Sequence, residues 1–199
     1  MSGMDALADL QRRLGNLLRL GTVAEVEHGT ARCRIRSGDL LTAPLPWLSP
    51  RAGDTIEWSA PTVGEQVLLL CPEGDTHQGI VLRGLYSQAC PAPGSSPALH
   101  RTRYPDGAVF EYDHDAHALR AWLPAGGTAE ISADGGVTVN GPLTVNGDCT
   151  FNGNTQTNGD AAVSQTLTAQ TDVVGGGKSL KNHRHTGVQS GGATSGPPQ

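Results

Sequence analysis

The sequence is poor in aromatic residues and in apolar residues generally, and it contains no long apolar run. Phe, Tyr and Trp make up 4% of the 199 residues and apolar residues without glycine 37%, slightly below the roughly 40% of ordinary domains once glycine is left out. A single thick hydrophobic core is therefore not expected. Because the N-terminus lacks the apolar core of a signal peptide and no stretch is long enough to span a bilayer, we expect synthesis in a cytoplasm and no integral membrane segment.

The chain also lacks a strong charge of either sign and paired cysteines. Charged residues are 17% and the net charge is −5, short of the excess that marks disordered chains. This mildly acidic balance gives no basic footprint, so we do not expect nucleic acid as a partner. The cysteines form no CxxC pair, which argues against a zinc ribbon or a disulfide framework; they are Cys33, Cys71, Cys90 and Cys149.

Glycine, by contrast, is abundant at 27 residues, and the sequence pattern changes from region to region. Within residues 1–20, leucines at helical spacing predict an amphipathic helix over 4–20 that ends at Gly21. Residues 21–87 alternate in short runs, which predicts a small closed five-stranded barrel, most commonly an OB fold. The expected strands are Thr22–Glu27, Ala31–Arg36, Thr55–Ser59, Glu65–Cys71 and Ile80–Tyr86.

Beyond the barrel, proline and small residues predict a linker over 88–101. Residues 102–132 then read as a β-hairpin region. Its candidate strands are Ala108–Tyr112, Leu119–Leu123 and Thr128–Ser132. The overall fold class predicted up to this point is all-β with a short leading helix.

An Asn-Gly pair recurs every six residues within 133–177, at positions 140, 146, 152 and 158. A short fixed period predicts a β-helix, with Asn-Gly supplying the positive φ of a tight turn. Each repeat buries only two modest side chains, too little to offset the ordering of its backbone. We therefore expect three copies to wind around one axis as a homotrimer. The inward pairs would be Leu143/Val145, Cys149/Phe151 and Ala161/Val163.

Two histidines, His183 and His185, lie near the C-terminus. In a strand this spacing places both imidazoles on one face. A threefold axis would gather six imidazoles into a nitrogen-only site suited to iron, with zinc and nickel left open. An isolated His-x-His near a glycine-rich end is usually only solvated, and it is the trimeric repeat just upstream that favours a metal site.

The order of these elements resembles the baseplate spike, or baseplate assembly protein V, of contractile-tailed phages and R-type tailocins. The resemblance rests on the leading helix, the segment Trp47–Gly84 with GEQVLLLCPEGD, the Asp106-Gly107 hairpin, the Asn-Gly repeat and His183-x-His185-Thr-Gly. It implies an OB barrel, a trimeric intertwined β-helix shaft over 133–177, and an apex over 178–199. His183 and His185 would bind iron there, one ion per trimer; calcium and chloride are further family ligands for which no residues can be assigned.

The same resemblance implies a structural spike, not an enzyme, which pierces the host outer membrane when the tail sheath contracts. Its implied partners are tail-tube or baseplate hub proteins, bound by the N-terminal domain, and transiently the outer membrane. Its implied location is a virion or tailocin particle assembled in the host cytoplasm.

Two other function classes stay open at this point. A hexapeptide-repeat acyltransferase also combines a six-residue period with a trimer, although its repeats begin differently and are more numerous. An OB-fold nucleic-acid binder would need a basic surface and stacking aromatic residues, which this barrel lacks. The cluster Asp113-His114-Asp115-Ala116-His117 resembles a metal site but lies between two expected strands, where such residues are ordinary in turns.

Overall fold

The computed structural model describes residues 3–184, 187 and 191–192. The chain divides into two compact units, Met1–Ser132 and Ala133–Gln199. Among the described residues, no helix is long and apolar enough to cross a membrane.

The first unit begins with helix α1, Gly3–Leu17. Strand β1, Leu18–Glu27, follows it without a break, so the helix is shorter than predicted and Gly21 does not end it. Gly21 lies within β1, where a Cβ atom would come within 2.5 Å of Ile35 Cγ2. The glycine is therefore explained by close packing between strands.

The first unit then forms a small closed barrel. Its further strands are β2 (Arg32–Ser37), β3 (Leu40–Leu41), β4 (Leu45–Pro46), β5 (Gln66–Leu70) and β6 (Ile80–Leu85). Antiparallel ladders join β1 to β2 and β5, β2 to β3 and β4, and β5 to β6. A parallel bridge from Trp47, just after β4, to Val81 in β6 closes the ring. The predicted five-stranded closure is confirmed, with β3 as a short addition.

The core of the barrel consists of aliphatic and cysteine side chains. These are Val23, Cys33, Ile35, Leu45, Val67, Leu69, Cys71 and Val81. Burial raises the pKa of the Cys33 thiol to about 11 and also raises that of Cys71, so both remain neutral packing residues at physiological pH. The buried Thr42 hydroxyl accepts a hydrogen bond from the Ile35 amide at 2.9 Å, which satisfies a polar side chain inserted beside this core.

The strand predicted over Thr55–Ser59 is wrong. Its backbone is held in a loop, because Glu57 bonds to Arg51 through its amide and to the Ser49 hydroxyl through its carbonyl. Only an Ala52–Ile56 bridge remains of the expected pairing. The strands β3 and β4, which have two residues each, supply the pairing instead.

A three-stranded antiparallel sheet follows, in the order β7 (Leu99–Arg103), β8 (Val109–Asp113) and β9 (Ala118–Trp122). The second and third strands match the predicted ones closely. Strand β7 was not predicted, and it begins inside the segment 88–101 assigned to the linker. The strand predicted over Thr128–Ser132 is wrong, since no described strand pairs with it.

One face of this sheet carries a buried ion pair across all three strands. Glu111 in β8 is 4% exposed and lies opposite Arg101 in β7 and Arg120 in β9. Its carboxylate accepts from Arg101 at 2.6 Å and from Arg120 at 3.1 Å. The Arg101 hydrogen bond is the main cause that lowers the pKa of Glu111. Two cations therefore hold one buried carboxylate in its charged form and fix the register of the sheet.

The second unit has little secondary structure of its own. Its described strands are the two-residue β10 (Val174–Gly175) and β11 (Lys178–Ser179). Residues 137–172 contain no helix and no strand, and the side chains of 137–171 are exposed within the single chain.

We predict that Glu111→Gln lowers the thermal midpoint at pH 7, because Arg101 and Arg120 lose their shared charge partner. Since the folded pKa of Glu111 is lowered, its contribution is complete above the unfolded pKa and disappears as the pH falls through the folded pKa. The variant should therefore show a flatter loss of stability between neutral and acidic pH. Calorimetry across that range measures the effect.

Glu25→Gln is the matched control, since the Glu25–Arg34 pair is at 3.4 Å and solvent-exposed and such pairs contribute little. Equal midpoint losses in the two variants at pH 7 would contradict the role assigned to Glu111.

Candidate functional site

The repeat segment 137–172 has no backbone hydrogen-bond partners among the described residues. Within that part of the chain, no backbone-to-backbone hydrogen bond involves any of its residues. Backbone N–H and C=O groups in folded proteins are almost always paired when they are removed from water. A single copy of this segment is therefore an extended ribbon that can pair only with something outside itself.

The side chains of the ribbon lead to the same conclusion. Phe151 is 70% exposed, an unusual state for an aromatic residue in a segment that has few of them. The other exposed apolar side chains of the segment are Val137, Val139, Leu143, Val145, Val163 and Leu167. They include members of all three predicted inward pairs, and within one chain none of those pairs faces a core.

The Asn-Gly pairs do mark changes of chain direction. The backbone bends at Gly141 and at each of the three later pairs, so the six-residue period is present in the structure. The expected positive φ occurs only at Gly141, where it is 150°. The predicted turn geometry is therefore wrong at the other three pairs, because a hydrogen-bonded tight turn needs a returning strand and the single ribbon has none.

After the ribbon, the chain forms a small hairpin. Strands β10 and β11 pair through Val174 with Ser179 and through Gly175 with Lys178. Between them Gly176 and Gly177 have φ values of 57° and 75°, as a two-residue turn of this hand requires. A Gly-Gly pair between short runs is a known hairpin signal, and it would have predicted this element.

The Asp172 carboxylate fastens the base of this hairpin. Its Oδ1 accepts from the amides of Val173 at 2.8 Å and Lys181 at 3.1 Å. A hydrogen bond from the Ser179 hydroxyl is the first cause that lowers the pKa of Asp172, followed by the Lys181 amide. One side chain thus holds both ends of a ten-residue turn together, immediately before the predicted metal ligands.

His183 follows this hairpin, and its ring contacts the backbone just before it. Its Nδ1 lies 2.9 Å from the carbonyl oxygen of Leu180. A carbonyl accepts hydrogen bonds, so Nδ1 carries the proton and the lone pair is on Nε2. Metal-binding histidines commonly donate their other N–H to a backbone carbonyl in this way, so the arrangement fits a ligand role.

The second predicted ligand, His185, lies outside the described residues. In the part of the chain that the structure describes, no group of three or more His, Cys, Asp or Glu side chains could hold a metal. His183 itself lies outside the strands, so the strand spacing used to predict the pair stays a prediction.

The cluster at 113–117 is a hairpin turn between β8 and β9. Asp113 Oδ1 accepts from the amides of Asp115 and Ala116, and His117 has a positive φ of 51°. These bonds are those of an ordinary Asx-type turn, so the structural interpretation of the cluster is confirmed.

Sequence reasoning missed a projecting loop of the barrel, residues 48–63. Arg83 in β6 secures it by donating to the carbonyls of Leu48 and Ser59. Trp58 packs edge-on against Trp47 with ring centroids 5.6 Å apart, yet it remains 61% exposed. Ile56 and Val63 are also exposed. Two tryptophans eleven residues apart were the available signal, of which Trp58 lies in the strand wrongly predicted over Thr55–Ser59.

Two family models and one known protein are similar to this chain. The model of the type VI secretion system/phage-baseplate injector OB domain matches residues 19–86, which are the barrel. The GpV apex motif matches residues 179–199, which begin in β11. The spike protein of Escherichia phage P2 is 37% identical over 188 residues, covering 92% of this chain and 87% of that protein.

The chain belongs to the phage baseplate spike family. The resemblance seen in the sequence is thereby confirmed, and so is the OB assignment of the barrel. As a member of this family the protein has a structural, virion-associated role in a phage tail spike and is not an enzyme, which removes the acyltransferase alternative.

Proposed function

We propose that this spike protein acts as a homotrimer whose residues 133–177 intertwine as a β-helix. The observation that carries the proposal is the ribbon over 137–172, which makes no backbone-to-backbone hydrogen bond with any residue that the structure describes. Two further copies would supply ladder partners for its amides and carbonyls. They would also cover Leu143, Phe151 and the other exposed apolar side chains around a common axis.

The trimer would pierce the host outer membrane when the tail sheath contracts. A closed three-chain shaft has no free sheet edge, and its outer surface carries no basic residue between 123 and 177. Such a surface is neutral to acidic, so it would not adhere to anionic lipid head groups during passage. The role assigned here is mechanical and requires no chemical step.

Light scattering on the purified chain tests the trimer and should give three times the 20.6 kDa chain mass. Phe151→Asp should shift the protein towards monomer, because three buried carboxylates would face one another near the axis. Thr150→Asp is the matched control, since the alternate position points outward in a strand. A monomeric wild-type protein, or equal effects of the two substitutions, would overturn the shaft.

We also propose that His183 and His185 of the three chains hold one iron ion at the apex. The contact of His183 Nδ1 with the Leu180 carbonyl supports this proposal, since metal-binding histidines commonly donate one ring N–H to a backbone carbonyl. The hairpin fastened by Asp172 immediately precedes these residues and would keep them in place. Iron bound there would cross-link three glycine-rich chain ends and resist their separation under load.

Elemental analysis of the purified protein should find about one metal ion per three chains, with iron the expected element. The double variant His183→Ala/His185→Ala should lose that metal. The matched control is His114→Ala/His117→Ala, which removes two histidines from the β8–β9 turn and should retain it. Full metal content in the first variant would place the site elsewhere.

The barrel is proposed to bind the baseplate hub or tail tube through the loop 48–63. Trp58, Ile56 and Val63 form an exposed apolar set on a backbone that is held by internal hydrogen bonds. An ordered loop loses little conformational entropy on binding, and exposed tryptophan is enriched at the centres of interfaces.

Trp58→Ala should leave the isolated trimer intact and reduce the amount of spike in assembled particles at least tenfold, a loss expected for an interface residue of this kind. Quantitative mass spectrometry of purified particles measures the incorporation. Tyr86→Ala, which removes an exposed aromatic side chain outside the loop, is the control and should incorporate normally. Normal incorporation of the Trp58 variant would exclude the loop as the contact.

A further inference from the structure

The outer face of the barrel wall formed by β1, β5 and β6 is apolar. Leu18 pairs with Leu70 and Leu20 with Leu68 across β1 and β5. Across β5 and β6 the same rows continue to Ile80 and Leu82. We call these six side chains the outer wall; Leu18 and Leu20 are each 61% exposed. Since the inner face of the same strands carries the core, this part of the sheet is apolar on both faces, which is typical of sheets covered on both sides.

Helix α1 carries a second uncovered apolar surface. Leu7, Leu10, Leu14 and Leu17 are spaced three, four and three residues apart, which places them in one stripe along the helix. All four are more than a third exposed. We call this set the helix stripe.

The helix stripe does not cover the outer wall of its own chain. The helix is attached by another side, where Gly74 lies directly against the Arg13 backbone and Asn16 accepts from Arg19 at 2.9 Å. At the helix end, the Leu17 carbonyl accepts from the Cys71 amide at 2.9 Å. These bonds hold the helix in place while its leucines and the outer wall both remain exposed.

We infer that the helix stripe of one copy packs on the outer wall of the next copy around the threefold axis. The inference rests on the trimer proposed above. Two different apolar surfaces on one chain make a head-to-tail contact, and such contacts close into a ring when the rotation is that of the oligomer. A foreign partner on either surface alone would leave the other exposed, whereas a ring of copies covers both.

The small size of the helix stripe and the outer wall is consistent with a contact between copies of this chain. Ten side chains make a small surface, so we expect the contact to fall short of the ~1,200 Å² of an interface that is stable by itself. The contact therefore requires copies that are already held together, as an intertwined shaft would hold them. It would then fix the positions of the three barrels relative to one another.

Cross-linking between differently tagged full-length chains tests the contact. One chain carries Leu14→Cys and the other Leu20→Cys, both in a Cys90→Ser/Cys149→Ser background, since the remaining Cys33 and Cys71 are buried. After co-expression, a short bismaleimide should produce a product bearing both tags. Replacing Leu14→Cys by Arg12→Cys, on the opposite side of the helix, should reduce that product several-fold. Light scattering on the same untreated sample reports the oligomeric state.

The outcomes separate this inference from the trimer itself. A trimer without a two-tag product above the Arg12→Cys level overturns the contact and leaves the shaft intact. In a parallel sample, one chain carries both Leu14→Cys and Leu20→Cys; cross-linking only within that chain would show that the helix covers its own wall, which also overturns the inference. A monomer would overturn both proposals.

Discussion

The structure depends on one constraint, that backbone amides and carbonyls withdrawn from water must be paired. The first unit meets this constraint within one chain, through a closed barrel and a three-stranded sheet. The ribbon over 137–172 does not meet it, and it has no core that would compensate. The difference between the two units therefore lies in where their hydrogen-bond partners are. In the trimer proposed above, folding and assembly of the ribbon would be the same event, and a segment with such modest side chains could then belong to a stiff shaft.

The sequence pattern predicts those strands and bends that are decided by residues close together in the chain. Alternation identified four of the barrel strands, and the Asn-Gly period located the first four bends of the ribbon but not the two at 164–165 and 170–171, which keep the same spacing without an Asn-Gly pair. Alternation gave a wrong strand at Thr55–Ser59, because hydrogen bonds from Ser49 and Arg83 hold the backbone there in a loop. The prediction that the helix ends at Gly21 is also wrong, because this glycine lies inside β1 and permits close packing against Ile35. In both cases a contact distant in sequence decides the conformation, and no window along the chain contains it.

The candidate sites show the same division. The His-x-His motif is visible in the sequence, whereas the groups that position it are not: the Leu180 carbonyl that orients His183 and the Asp172 carboxylate that closes the hairpin need the fold to be seen. The outer wall was hidden for a different reason. Its leucines lie in β1 and β5 next to core residues, and a run such as Val67–Leu70 does not reveal which face is covered from within.

The exposed leucines also bear on the low content of aromatic residues in this protein. A monomer with so few aromatic residues would be expected to bury its large aliphatic side chains, yet the helix stripe and the outer wall leave ten of them at least partly accessible. Surfaces of this kind are costly in an isolated soluble chain because they promote non-specific association. They become useful when identical copies are held close together, since a weak contact repeated three times then acts at high effective concentration. The apolar residues missing from the core of one chain are thus placed where three chains would share them.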